Sequence, residues 1–180
     1  MVRMQQVHGN KVVIVSNGDD GKAVPGCDGL ITNDPKLELA VRTADCLPIL
    51  VTDKKGLIHG VIHAGWRGLR KRVIGKTLNL INRKFGIGPS NLRIYIGPHI
   101  CVFHYEVKGD VAGFFDETVI IDNKKYLDLA LVANNQLINL GVLKKNIEIN
   151  KTCTFESKDH FSYRRDKTNK RNQYLFRLNV

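Results

Sequence analysis

At 180 residues and 20.3 kDa the chain can bury a real hydrophobic core, and its length argues against two independent domains. Hydrophobic residues make up 43% and charged residues 25%, globular values that exclude a disordered or fibrous protein. Against 17 Asp and Glu stand 28 Lys and Arg, and the formal charge of +11 puts nucleic acid, an anionic membrane surface or a phosphorylated small molecule first among partners.

Lys11-Val12-Val13-Ile14-Val15 is a β-branched run stopped by Asn17-Gly18-Asp19-Asp20-Gly21, which reads as a strand and then a turn. Residues 37–41, 47–52 and 57–63 read as three further strands, the last two joined by Asp53-Lys54-Lys55-Gly56 with the chemistry of a hairpin turn. Past Gly68 the apolar period lengthens. Leu69, Val73, Ile74, Leu78, Ile81 and Phe85 share one face of a helix that Gly86 ends, and Arg70, Lys71, Lys76, Arg83 and Lys84 fall elsewhere on it. Residues 92–96 form a strand closed by Gly97-Pro98. A second helix is expected over about residues 125–140, with Asp122 or Asn123 near its start and Gly141 after it, and Tyr174 to Leu178 is the last strand. With no internal repeat and no linker, this order predicts one mixed α/β (α+β) domain over residues 1–180, its mixed sheets covered by helices.

No apolar run is long enough to span a bilayer, and Met1-Val2-Arg3-Met4-Gln5-Gln6 lacks the apolar core of a signal peptide, so a cytoplasmic protein is expected. Cys27, Cys46, Cys101 and Cys153 are scattered and form no C-x-x-C pair, which argues against a zinc ribbon and a redox dithiol and leaves four free thiols as the default. The basic excess is focused: residues 61–100 hold eight basic and no acidic side chains, and residues 151–180 hold eight against three.

Three segments set a ligand or nucleophile beside small residues: Gln6-Val7-His8-Gly9-Asn10, Arg42-Thr43-Ala44-Asp45-Cys46 and His63-Ala64-Gly65-Trp66-Arg67-Gly68. Each alone is a weak signal and reads more readily as a solvated loop, a packing residue or a hydrogen-bonded core group. Together they say more, because Cys46 begins one strand and His63 ends the next, and antiparallel pairing brings those ends side by side. A thiolate beside an imidazole can be a nucleophilic dyad. Adding His8 makes an N₂S set suited to Zn²⁺ with one tetrahedral position open, the arrangement of a catalytic site. Gly65 and Gly68 flank Trp66-Arg67 where the helix begins, a place for an anion or merely a tight turn. Phe161-Ser162-Tyr163-Arg164-Arg165-Asp166-Lys167 interleaves aromatics with arginines, which suits stacking plus phosphate recognition or a charged surface loop.

The ordered motifs QVHG (Gln6 to Gly9), CDGLIT (Cys27 to Thr32), RTADCLP (Arg42 to Pro48), HAGWRG (His63 to Gly68), IGP (Ile96 to Pro98), YEV (Tyr105 to Val107), CT (Cys153-Thr154) and FSYRRD (Phe161 to Asp166) resemble the YfiH-like family over nearly the whole chain. That family was long labelled laccase-domain or multicopper polyphenol oxidase. The resemblance implies a CNF/YfiH-like, cysteine-hydrolase-type fold and a zinc-dependent purine nucleoside phosphorylase acting on adenosine, inosine or methylthioadenosine, with adenosine deaminase activity besides. It implies zinc on His8, Cys46 and His63; within such a site Cys46, His63 and Asp45 are the candidate catalytic residues, and Arg42, Arg67, Arg164, Arg165 and His99 the candidate substrate or phosphate contacts. Asp45 is the expected proton shuttle or, equally, a residue that orients a ligand. A purine nucleoside and phosphate are then the partners, for a monomer or homodimer, with nucleic acid set behind them.

Three departures accompany the resemblance. The chain starts almost at QVHG, where members usually carry a longer N-terminal region; position 99 is His where many have Cys; and Lys170-Arg171 replaces the usual Gly-Arg. The alternatives are a cysteine-type hydrolase using Cys46 and His63, a copper-linked polyphenol oxidase and a basic nucleic-acid-binding module. Copper ranks below zinc because multicopper sites need many imidazoles and the chain has six histidines.

Overall fold

Two apolar faces on the same strands build the core of the computed structural model, which describes residues 1–178. The central sheet is mixed and six-stranded, in the order β12 (Ile147–Ile149), β8 (Leu92–Ile96), β6 (Leu47–Asp53), β7 (His59–Ala64), β4 (Gly29–Thr32) and β2 (Val12–Ile14). A four-stranded sheet of β13 (Asn172–Phe176), β5 (Leu39–Thr43), β1 (Val2–Gln5) and β3 (Ala23–Pro25) packs on one face of it. Helices cover the other: α1 (Trp66–Arg70), α2 (Val73–Phe85) and α4 (Leu129–Asn139).

Strand alternation divides the buried side chains between the layers. Leu30 and Val61 point to the four-stranded sheet with Val2, Leu39 and Val41, whereas Ile31 and Ile62 point to the helices with Val73, Ile74, Leu78 and Ile81. Strands buried on both faces read as continuous apolar runs, as in Leu47 to Val51. Each of these fully buried Leu and Ile side chains contributes about 1.5–3 kcal/mol of transfer free energy.

The helix expected past Gly68 is two helices. Lys71 closes α1, and Arg72 adopts a left-handed conformation (φ 58°) before α2 begins, so the chain turns there and Leu69 still meets Val73 in the core. Gly86, at φ 67°, ends α2 as expected. Lys76, Arg83 and Lys84 stay on its exposed side, and Lys71 and Arg72 are exposed at the turn before it.

The helix expected over 125–140 is shorter, because its first residues pair elsewhere. Asp122 and Asn123 both have positive φ (48° and 60°), the conformation of a type I′ hairpin turn, and they join β10 (Thr118–Ile121) to β11 (Lys124–Leu127). With β9 (Glu106–Val107) these form a third sheet, beside the short helix α3 (Gly109–Ala112). The cap of α4 is instead Asp128, whose carboxylate accepts the N–H of Leu131. The last strand begins two residues earlier than expected, and the one-turn helix α5 (Tyr163–Asp166) precedes it.

Candidate active site

The β6–β7 hairpin sets the geometry. Buried Asp53 accepts the N–H groups of Lys55, Leu57 and Ile58 and pins the closed end, while the register pairs Leu47 with Ala64 and Pro48 with His63. Cys46, one residue before β6, therefore meets His63 at the open end. His8 comes from the loop after β1, where it holds a positive φ of 56°.

One fully buried carboxylate organises both imidazoles. Asp28 accepts the backbone N–H groups of Val7, His8 and Gly9 at 3.2, 3.0 and 2.7 Å, and its Oδ1 lies 2.8 Å from His63 Nδ1. That bond leaves His63 Nε2 for Cys46. The His8 ring stands edge-on to His63, centroids 4.8 Å apart at 83°, and the donor atoms of His8, Cys46 and His63 all lie within 4.8 Å of one another. Gly65 makes room, since a Cβ there would fall 2.7 Å from Cys46 Sγ.

Electrostatics pair the thiol with the imidazole. Burial pushes the Cys46 thiol up, but hydrogen bonds and charge from His63 and His8 outweigh it and hold it at about 6. Burial pulls His63 down, and hydrogen bonds to Asp28 and Cys46 overcome this to hold it at about 9. Free of metal, the pair is a thiolate and an imidazolium near neutral pH. The same donors suit a borderline divalent ion: two imidazoles, one thiolate, and a carboxylate on the far nitrogen of His63, the usual orienting contact for a metal-bound histidine.

Asp45, at φ 94° and buried, accepts from Thr154 Oγ1 at 2.8 Å and from the Arg164 N–H at 2.7 Å, tying the CT and SYRRD segments to the Cys46 loop. These residues open into a cavity of about 1030 Å³ that Arg42, Arg67 and Arg164 also line. Arg67 lies over Trp66, 4.4 Å from the ring centroid, and Arg164 over Tyr105 at 5.1 Å. Gln6 joins the first motif to the second by exchanging hydrogen bonds with the Arg42 backbone at 2.9 and 2.8 Å.

Two expected contacts lie outside the cavity wall. Arg165 turns its guanidinium into the following loop, where Nη1 donates to the carbonyls of Thr154, Phe155 and Ser157 and Nη2 to that of His160. His99 is buried with Nδ1 2.8 Å from the Gly97 carbonyl. Conversely, Tyr105, which entered the sequence reading only as part of the YEV motif, lines the cavity; burial pushes its phenol up, which keeps it a hydrogen-bond donor. Sequence reasoning also passed over a second donor group, Cys101, His104, Cys153 and Glu156. Its signal is a Cys followed three residues later by another donor, twice, which a search for C-x-x-C alone does not find. All four cysteines are free, and among the described residues no helix is long and apolar enough to cross a membrane.

The chain has relatives of known sequence and structure. It is 34% identical over 175 residues to the purine nucleoside phosphorylase Cj1217c of Campylobacter jejuni, covering 94% of this chain and 74% of that protein. It is 35% identical over 176 residues to the purine nucleoside phosphorylase YfiH of Escherichia coli, covering 93% and 69%. Among solved structures, YlmD from Geobacillus stearothermophilus superposes with a TM-score of 0.93 at 31% identity, covering 99% of this chain and 73% of that one. The hypothetical protein YfiH of Bacillus licheniformis gives 0.92 at 28% identity, covering 99% and 74%. The sequence profile described as multi-copper polyphenol oxidoreductase laccase matches residues 1–175. The chain thus belongs to the YfiH-like family that carries this laccase label.

Proposed function

We propose that the chain is a purine nucleoside phosphorylase whose reaction centre is the cavity floored by His8, Cys46 and His63. The observation that carries the reading is the convergence of these donors with Arg42, Arg67 and Arg164 in one cavity of about 1030 Å³, in a chain similar to proteins named purine nucleoside phosphorylases. The volume accommodates a nucleoside beside a phosphate. The guanidinium groups are suited to bidentate capture of phosphate oxygens, and Trp66 and Tyr105 offer faces and a phenol donor to the purine nucleoside.

Zinc is the metal that the donor set fits best, and when bound by His8, Cys46 and His63 it would supply a Lewis acid at the cavity floor. The protein's own side chains do the rest. Arginines hold phosphate so that one of its oxygens forms a bond to the anomeric carbon of the ribose. The bond from that carbon to the purine nitrogen breaks, and its electron pair leaves with the base. Asp45 relays to the departing purine the proton that the attacking phosphate gives up; two of its lone pairs are occupied by Thr154 and Arg164, and the others remain for that transfer. Adenosine deamination belongs to the same proposal: water adds at the purine carbon bearing the amino group, and ammonia leaves. The reading places the enzyme in the cytoplasm, with adenosine, inosine and methylthioadenosine as substrates.

Incubation with each nucleoside, with and without phosphate, followed by chromatography tests this reading. A free base that appears only with phosphate supports phosphorolysis, and inosine formed from adenosine without phosphate supports deamination. No product in either condition, or activity unchanged in Cys46→Ala, overturns it. A cysteine-type hydrolase is the second reading, favoured by the thiolate and imidazolium pair. Zinc that protects Cys46 from alkylation while activity rises argues for the first.

A further inference from the structure

Beside the cavity wall the fold brings two matching turns together. Cys101-Val102-Phe103-His104 and Cys153-Thr154-Phe155-Glu156 each set a cysteine three residues before a second donor, and a parallel bridge between His99 and Cys153 aligns the segments. His104 Nδ1 lies 3.2 Å from Cys101 Sγ, 3.7 Å from Cys153 Sγ and 3.3 Å from Glu156 Oε1. Cys101 Sγ lies 3.8 Å from Glu156 Oε1, and all four donor atoms fall within 4.8 Å of one another. A tetrahedral zinc ion, with bonds of about 2.3 Å to sulfur and about 2.0–2.2 Å to nitrogen or oxygen, needs donor separations of about 3.3–3.8 Å. The three separations from His104 and that between Cys101 and Glu156, four of the six edges, match to within a few tenths of an ångström.

The surroundings constrain the same donors. The His104 ring stacks on Phe155, centroids 4.3 Å apart at 15°, which aims Nδ1 inward. The Cys101 N–H donates to Cys153 Sγ at 3.2 Å, a backbone contact of the kind that disperses thiolate charge at metal centres. Cys153 is buried, Cys101 and His104 are half-buried, and Glu156 is the exposed fourth donor. Two thiolates with an imidazole and a carboxylate select a borderline ion over magnesium or calcium, and four protein donors leave no position for substrate.

We propose that Cys101, His104, Cys153 and Glu156 form a second, structural zinc site, separate from the His8, Cys46 and His63 group. It ties the turn that precedes Tyr105 to the turn whose Thr154 bonds Asp45 and whose carbonyls bond Arg165. The ion would thereby fix one wall of the cavity without taking part in chemistry, and the site stands whether or not the chain cleaves nucleosides.

The test is cobalt(II) titration of the reduced, metal-stripped full chain under argon, read by its visible spectrum and by metal analysis. In the Cys46→Ala background, which removes the thiolate of the first group, one cobalt ion per chain is expected with the intense visible bands of tetrahedral coordination and a thiolate charge-transfer band. Glu156→Gln, an exposed change that leaves the core intact, weakens that binding by at least about tenfold. Adding Cys101→Ser and Cys153→Ser abolishes the bands. Absence of tetrahedral bands in Cys46→Ala overturns the proposal, as does binding that neither Glu156→Gln nor the double serine change alters. Recovery of the native protein with a Cys101–Cys153 disulfide and no metal also overturns it.

Discussion

Gly65→Ala isolates the packing on which the first donor group depends. Gly65 has φ −87° and ψ 176°, extended values open to any residue, so the substitution carries no backbone strain. The added methyl falls 2.7 Å from Cys46 Sγ and 3.6 Å from His8 Cδ2. Ordinary contact therefore requires the sulfur to move by about 0.7 Å, beyond the roughly 0.2 Å within which metal-ligand distances hold. Overpacking of this kind costs about 1–3 kcal/mol. Loss of glycine at the start of α1 costs a further 0.5 kcal/mol or so, largely offset by the roughly 0.4–1 kcal/mol that alanine gains by restricting the unfolded chain. In Cys46→Ala the obstructing sulfur is gone, and Gly65→Ala should there be nearly neutral. Urea unfolding of both single variants and the double variant in chelator measures the coupling, expected at about 1 kcal/mol or more. Metal content of Gly65→Ala should fall in parallel, and turnover by about 100-fold. Equal destabilisation in both backgrounds would refute the reasoning, because the methyl would then be colliding with something other than Cys46.

Alkylation of Cys46 by iodoacetamide in metal-stripped protein should follow a midpoint near pH 6 instead of the about 8.5 of a free thiol, since the thiolate forms as pH rises through its lowered value. A midpoint at the free-thiol value would dissolve the proposed pairing with His63. Asp28→Asn should cost about 3 kcal/mol at pH 7 by unpairing His63 and weakening the bonds to Val7, His8 and Gly9. The Asp28 carboxyl is held below its usual range, burial opposing and the His63 and backbone hydrogen bonds prevailing, so its stabilisation is present above about pH 4 and lost as pH falls through the lowered value. Unfolding curves of the native chain and Asp28→Asn should therefore converge on acidification. Arg165→Lys should lower Tm and leave the KM for phosphate unchanged, because a lysine cannot reach the carbonyls that the planar fork joins. Arg42→Ala should do the reverse, raising that KM by about tenfold or more through loss of a charge-assisted contact.

Much of the first donor group was legible because it depends on the pairing of adjacent strands. A turn at Asp53 to Gly56 and two apolar runs suffice to bring Cys46 to His63, and the register of β6 and β7 does so. The second group depends on a parallel bridge between His99 and Cys153 that brings together turns 52 residues apart, which local pattern does not encode. The expected helix over 125–140 failed for a related reason: Lys124 to Leu127 have side chains that either structure accepts, and the decision rests with the left-handed pair Asp122-Asn123 before them. Strand β4 is buried at all four residues and shows no alternation, and β1, whose Val2-Arg3-Met4-Gln5 does alternate, has the shortest length at which alternation signals a strand. Arg165 illustrates a limit of composition. Its position among aromatics and basic residues suggested an anion, but the loop after it carries carbonyls that need a donor, and that local demand claims the guanidinium.

The positive charge gains a sharper meaning once the residues are placed. Arg67 and Arg164, from the two basic stretches, stand on the wall of one cavity with Arg42, while Lys71 is exposed at the end of α1 and Lys76, Arg83 and Lys84 lie on the exposed side of α2. These populations should respond differently to salt. Exposed charges more than about 8–10 Å apart are screened at physiological ionic strength, whereas those converging on a concave wall reinforce one another's field. Two of the positive-φ residues stand in the same place. His8 and Asp45 both hold left-handed conformations that cost free energy in residues other than glycine, and each is kept there by contacts between segments distant in sequence. Selection for stability alone would relax both positions to glycine or asparagine. That a histidine and an aspartate stand there instead fits the roles proposed for them, in a site whose geometry takes precedence over local preference.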